Sequence, residues 1–302
     1  MTGAVQEPGP RTGRARPSAR PAAGHAVRGG PSRLAMSLTY LSLLVGVICM
    51  FLPVLWVVFS SFKSLSEIYR IPPPIFPSRW LVSNYTTAVR SFPFVRELIN
   101  STTVTVVATV LTLAINSMAA FALSKYSFRG RDAVFLLMLG TLMIPLQAIM
   151  IPVYLTMAKL GLVNTLWGII IPPSATPTGV FLLRQYMITI PDELIEAARI
   201  DGAGEWRIFA RVVLPLATPA LAVLAIFSVV WRWNDFLWPL IVINDPNLFT
   251  LQLGLARFSG ELVTDWNSLL ALTVLTMLPV TVLFAFLQRY LVSGIAATGI
   301  KG

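Results

Sequence analysis

RQYMITIPDELIEAARIDGAGEWRIFARVV, residues 184–213, connects two long apolar runs, and its reading organises the rest of the chain. A connection in a compact protein is usually about 4–6 residues. This one is nearly thirty and holds 5 of the 13 acids: Asp192, Glu193, Glu196, Asp201 and Glu205. It carries its own helical grammar. Thr189 is placed to cap a helix start, with Asp192 three residues on as the capping-box partner. Pro191 falls in the first turn, where its missing N–H costs little. Acids gather at the positive N-terminal end. Leu194, Ile195, Ala197 and Ala198 form the apolar part, and Gly202 and Gly204 end the helix. A second short helix, 205 to about 211, leads to Leu214-Pro215. Alanines and glycines let another surface come close. A helix resting on lipid would favour basic residues and large apolar ones, so this segment reads as a docking element between two flanking structures.

The flanks are apolar. Outward from the loop lie runs at about 162–183 and 212–243, then 133–157, 98–123, 38–60 and 268–287. All but the run at 212–243 are free of charge. The run at 38–60 has 23 uncharged residues, long enough to cross ~30 Å of hydrocarbon at ~1.5 Å per residue. Backbone groups in lipid must be satisfied internally, so these runs are expected to be helices. The fold class is therefore an all-α membrane protein of about six spans, with the 184–211 loop between the fourth and fifth. Pro53, Pro145, Pro152, Pro172, Pro173, Pro239 and Pro279 lie inside the runs, and kinks are expected there. The third and fourth spans, with Ile171-Pro172-Pro173-Ser174, look the least regular.

Composition agrees. The 302 residues are 56% hydrophobic and 12% charged, with a mean hydropathy of +0.74. Soluble domains carry about 25% charged residues. The net charge of +10 has no clustered basic face of the kind nucleic acid requires. With the N-terminus inside, inner segments hold 15 Lys and Arg and outer segments 7, which sets both termini in the cytoplasm of a multi-pass cell-membrane protein. Residues 1–36, rich in Arg, Pro, Gly and Ala, read as a disordered basic tail, and 37–302 as the transmembrane domain. The outer loop at 61–97 contains Ile71-Pro72-Pro73-Pro74-Ile75-Phe76-Pro77, stiff extended chain. Cys49 is the single cysteine, within an apolar run, and excludes an internal disulfide.

Glu196-Ala197-Ala198, Gly202 four residues on, Val212 and Leu214-Pro215 together resemble the EAA loop of binding-protein-dependent ABC importer permeases. The usual form has Ile where this chain has Val212. Trp233-Asn234-Asp235-Phe236-Leu237-Trp238-Pro239, and the ending from Gln288-Arg289-Tyr290 to Gly302, are similar to the carbohydrate-uptake (MalG-like) group. The resemblance starts near Leu38 and leaves out the tail. It implies a MetI-like permease fold and an importer of sugars, with this chain forming half of the translocation pathway. It implies as partners a second permease subunit in a heterodimer, an ABC ATPase dimer and an extracytoplasmic sugar-binding protein or lipoprotein. The loop helix becomes a coupling helix that sits in a groove of the ATPase. Glu196 and Asp201 would make polar contacts there. Ala197, Ala198, Gly202 and Ala203 would permit the close fit, and Leu214 and Pro215 would fix the link to the fifth span. The chain contains no GxxxxGK[ST] phosphate loop, so ATP and Mg²⁺ belong to the partner ATPase. No cofactor or metal is expected on this chain, and it is not expected to be an enzyme.

Trp231, Arg232, Trp233, Asn234 and Asp235 lie late in the fifth run, and two readings stand. The tryptophans are interfacial anchors with Arg232 snorkelling outward, or Trp231, Trp233, Asn234 and Asp235 line the path of a sugar. Asn100, Thr102, Thr103, Thr105, Thr109, Thr112, Asn116 and Ser117 of the second span read as interhelical glue. Phe258, Ser259, Gly260 and Trp266, in the outer loop at 244–267, would touch the binding protein if the resemblance holds. Alternatives are an importer of glycerol-3-phosphate or another polar solute, and an ion-coupled secondary transporter. The latter usually shows inverted repeats and mid-span acids, and no clear repeat is seen.

Overall fold

The computed structural model describes residues 33–259 and 265–298. The expected disordered tail thus lies almost wholly outside the described residues, as do Gly260 and the last four positions. The chain divides into residues 1–52 and residues 53–302. The first unit is described from Arg33, within the helix Arg33–Ser60, of which Met36–Ser60 is long and apolar enough to cross a membrane. Cys49 is exposed on it.

Every described element is helical. In the second unit the organising element is the second span, Phe94–Lys125. Its buried residues include Val104, Ala108, Thr112, Asn116 and Ala120, one helical stripe spaced four residues apart. The stripe packs along Pro177–Ile188 of the fourth span and Thr218–Trp233 of the fifth. The third straight span is Trp266–Phe286, within the helix Trp266–Thr298.

The other three spans are bent pairs, and six crossings result when each pair counts as one. The run expected at 133–157 is two arms, Arg131–Met143 and Leu146–Lys159, meeting at 106°. Pro145 sits at the break, and Ile144 before it is extended, as a residue preceding proline tends to be. In the fourth span Pro172 and Pro173, where irregularity was expected, form a short 3-10 turn, and the break itself follows at Ala175-Thr176, before Pro177. Leu166–Ser174 meets Pro177–Ile188 at 43°.

The fifth run differs most from expectation. Glu205–Leu216 meets Thr218–Trp233 at 78°, and the chain leaves the helix at Trp233, well before residue 243. Pro215 cannot donate to the carbonyl of Arg211, and a π turn over Phe209–Val213 absorbs the mismatch. Pro219 then opens the next helix. The bending prolines here are Pro215 and Pro219, while Pro152 and Pro279 lie inside unbroken helices. In the loop at 61–97, residues 71–77 are irregular rather than one extended rod, and the helices Leu65–Ile68 and Ser83–Ser91 flank them.

Candidate functional site

The segment from Asp192 to Leu216 is built on a helix, Asp192–Ile200, a glycine turn and the helix starting at Glu205. Gly202 has φ +77°. That left-handed conformation costs an L-residue roughly 1–2 kcal/mol, so the turn needs glycine for its backbone. A Cβ at Gly202 would meet no atom of the chain within 4 Å. The amide of Ala203 donates to Ala198 O at 2.9 Å and that of Gly202 to Arg199 O at 3.0 Å, closing the helix end. The expected cap at the other end is absent. Thr189 ends the preceding helix and its hydroxyl donates to Tyr186 O at 2.8 Å, and no side chain caps the N-terminus at Pro191. Asp192 is drawn instead to Lys125.

The residues singled out in the sequence divide by exposure. Glu196, Ala197, Asp201, Gly202 and Pro215 are exposed. Ala198, Ala203 and Leu214 are half-buried and pack against the chain's own core. Ile195 is the anchor, 3% exposed. Two residues that the sequence reading passed over stand out: Ile200 is 86% exposed and Trp206 is 73% exposed. Both are large apolar groups exposed on the segment that also exposes Glu196 and Asp201.

The second span holds this module in place. The Lys125 ammonium, 3% exposed, donates to Ile190 O and to Asp192 Oδ1 at 2.7 Å. The Tyr126 hydroxyl donates to Glu205 Oε2 at 2.5 Å, and Arg199 donates to both oxygens of Glu205, at 3.0 and 3.3 Å. Burial, aided by the Glu205 hydrogen bond, pushes the Tyr126 phenol up to about 12. Arg184 donates to Leu123 O at 3.0 Å and lies 3.9 Å over the Phe135 ring. None of these pairings shows in local pattern. The only signal is a lysine at a span end facing an acidic loop.

At the far end of the fifth span, Arg232 turns inward and does not snorkel. It donates to Ser228 Oγ at 2.9 Å, to Thr112 Oγ1 at 2.7 Å and to Pro173 O. The last is a carbonyl at the break in the fourth span. Asn116 closes the same break, accepting from Thr176 N at 3.1 Å and donating to Thr176 Oγ1 at 3.0 Å. Thr109 and Ser228 bond at 2.8 Å. Side chains of the second and fifth spans thus satisfy backbone that the prolines freed. Trp233 and Trp238 are not interfacial anchors. Both are buried, and their indole N–H groups donate to Thr276 O at 3.1 Å and Gly168 O at 3.0 Å.

A cavity of about 630 Å³ lies between the end of the fifth span, the helix Leu251–Phe258 and the sixth span. Trp233 and Asn234 line it with Gln252, Thr273, Thr276 and Thr281. Trp231 is outside it, exposed and tilted against Phe227. Asp235 is also outside, accepting from Trp238 N at 3.3 Å. The structure therefore brings together two of the four residues proposed for a cargo path. Among the described residues no three His, Cys, Asp or Glu side chains are grouped as a metal site would need.

A family model described as "Binding-protein-dependent transport system inner membrane component" matches residues 112–297. An arabinooligosaccharides transport system permease protein, AraQ, of Halalkalibacterium halodurans is 44% identical over 67% of this chain and 73% of its own length. An sn-glycerol-3-phosphate transport system permease protein, UgpE, of Rhizobium meliloti is 33% identical over 86% of this chain and 95% of its own. Among solved structures, a chain of a bacterial ABC transporter involved in the import of the acidic polysaccharide alginate aligns with a TM-score of 0.77. It is 25% identical, covering 85% of this chain and 96% of that one.

Proposed function

This chain belongs to the family of inner membrane components of binding-protein-dependent transport systems, and on that premise we propose that Asp192–Ile200 is the helix through which a cytoplasmic ATPase drives it. The chain is a permease subunit of an ATP-driven importer and not itself an enzyme, because ATP hydrolysis takes place in a separate ATPase subunit. ATP and Mg²⁺ bind on that partner. The exposed set Glu196, Ala197, Asp201 and Gly202 meets the ATPase, with Ile200 and Trp206 beside it. Ala198, Ala203 and Leu214 seat the helix on its own subunit, and Pro215 turns the chain into the fifth span. The excess of Lys and Arg in the assigned inner segments supports both termini in the cytoplasm. The remaining partners are a second permease subunit and an extracytoplasmic binding protein.

The cargo is a sugar. Support comes from the relative named for arabinooligosaccharides and from the cavity with Trp233, Asn234, Gln252 and threonine hydroxyls, groups that stack on and hydrogen-bond to sugar rings. Trp231 and Asp235 flank this path. A relative named for glycerol-3-phosphate keeps that solute as a second reading.

The observation that carries the coupling role is a helix tied down by Lys125 that exposes Glu193, Glu196 and Ala197 together with Leu194 and Ile200. Ala197→Trp tests it, since Ala197 is exposed and a larger side chain there disturbs nothing within the chain. In proteoliposomes with all partners, ATP-driven sugar uptake should be lost while membrane insertion and folding persist. Normal uptake by Ala197→Trp would remove the assignment.

A further inference from the structure

Lys125 and Tyr126 are consecutive residues at the end of the second span, and each holds a different end of the docking module. Lys125 grips Asp192 and Ile190 O, at the N-terminus of the helix Asp192–Ile200. Tyr126 grips Glu205, past its C-terminal turn, and Arg199 ties Glu205 back to the helix. The second contact is reinforced by rings. Phe121 of the second span lies 5.3 Å from both Tyr126 and Phe209, and Trp206 lies 5.9 Å from Phe209. The Lys125 side chain is 3% exposed although its partner Asp192 is 74% exposed. Among the described residues Asp192 is the acid paired with Lys125, and the Ile190 carbonyl fixes the ammonium beside it.

We propose that Lys125 and Tyr126 are positioning residues that make the second span the lever moved by the coupling helix. The inference rests on the coupling role proposed above. The fourth and fifth spans are joined to the module through the chain itself, but both are broken, at Ala175-Thr176 and at Ala217. A bent span takes up displacement at its break. The second span is unbroken over 32 residues and carries Thr109, Thr112 and Asn116, which hold Ser228, Arg232 and Thr176. A pull on Asp192 and Glu205 therefore reaches the middle of the bundle along the unbroken helix, and the bent spans follow it through side chains.

The test uses the complete transporter in proteoliposomes and reads sugar uptake and ATP hydrolysis separately. Lys125→Met should leave assembly and ATP hydrolysis in place and lower sugar moved per ATP roughly tenfold, the weight of one hydrogen bond to a charged group. Lys125→Arg should restore most of that ratio, and Tyr126→Phe should lower it less. In a Cys49→Ser background, Lys125→Cys with Asp192→Cys should be uncoupled, and bridging the pair with a short bis-maleimide should rescue transport. Unchanged sugar per ATP in Lys125→Met, or a bridge that blocks uptake, would overturn the lever while leaving the pump reading in place. Absence of ATP-driven uptake by the unmodified complex would take down both.

Discussion

The segment 192–216 and the segment 231–239 lie at the two ends of the fifth span, and they handle charge in opposite ways. In the first, Glu196 and Asp201 face solvent, the ion pair Lys125–Asp192 lies at its start, and Arg199–Glu205 spans the glycine turn. In the second, the cation turns into the bundle, where the two terminal nitrogens of Arg232 donate to Thr112, Ser228 and Pro173 O. An exposed charge contributes little to stability and remains available to a partner. A buried one is tied to what it holds. Two charged stretches at the ends of one span thus divide into an exposed acidic surface and a clamp for architecture.

The largest effect expected is on the clamp. Arg232→Leu leaves Pro173 O, Thr112 and Ser228 without their donor. Each hydrogen bond to a charged group is worth ~1.5–3 kcal/mol, and relief of the buried charge offsets part of the loss. A net destabilisation of about 3 kcal/mol should appear in thermal unfolding of the detergent-purified chain. Unchanged stability would mean that the fourth-span break stands without it. Next comes Gly202→Ala, which forces an L-residue to φ +77° and should cost about 1 kcal/mol. Gly202→Asn sharpens the comparison, because Asn tolerates that conformation. If Gly202→Asn folds normally and still loses uptake, close approach by the partner is what demands glycine.

Glu196→Gln should change stability by less than about 0.5 kcal/mol, as for exposed groups generally, while uptake falls. A Glu196→Gln variant that transports normally would erase the contrast between the two segments. The smallest effect is at Tyr126. A phenol with a raised pKa favours the folded state while protonated. Its contribution is complete below about pH 10, where an unfolded tyrosine titrates, and is lost as pH rises toward about 12. Difference absorbance against Tyr126→Phe should show that one phenol ionising late.

The module's existence was legible because its signals are local: an acidic N-terminal turn, small residues, and a glycine where the backbone turns left-handed. Its attachment was not. Lys125 and Asp192 are 67 positions apart, and Tyr126 and Glu205 are 79. Thr189 shows the converse error. Its spacing to Asp192 matched a capping box, yet the helix before it extends through Ile188 and claims Thr189 as its end. Of the cluster at 231–235, the sequence showed polar and aromatic residues near a membrane. The direction each one faces came from helix phase and neighbours, and it put Arg232 and Trp233 inside and left Trp231 outside.

By itself, the sequence determined that the chain crosses a membrane about six times and presents a short acidic helix between the fourth and fifth crossings. Charge-free runs and left-handed glycines act over one helix length, within the reach of local composition. Only the tertiary structure decided which prolines bend, which charges are buried and which span holds the module. Those outcomes depend on where hydrogen-bond donors 60 to 120 residues away come to rest when the helices pack.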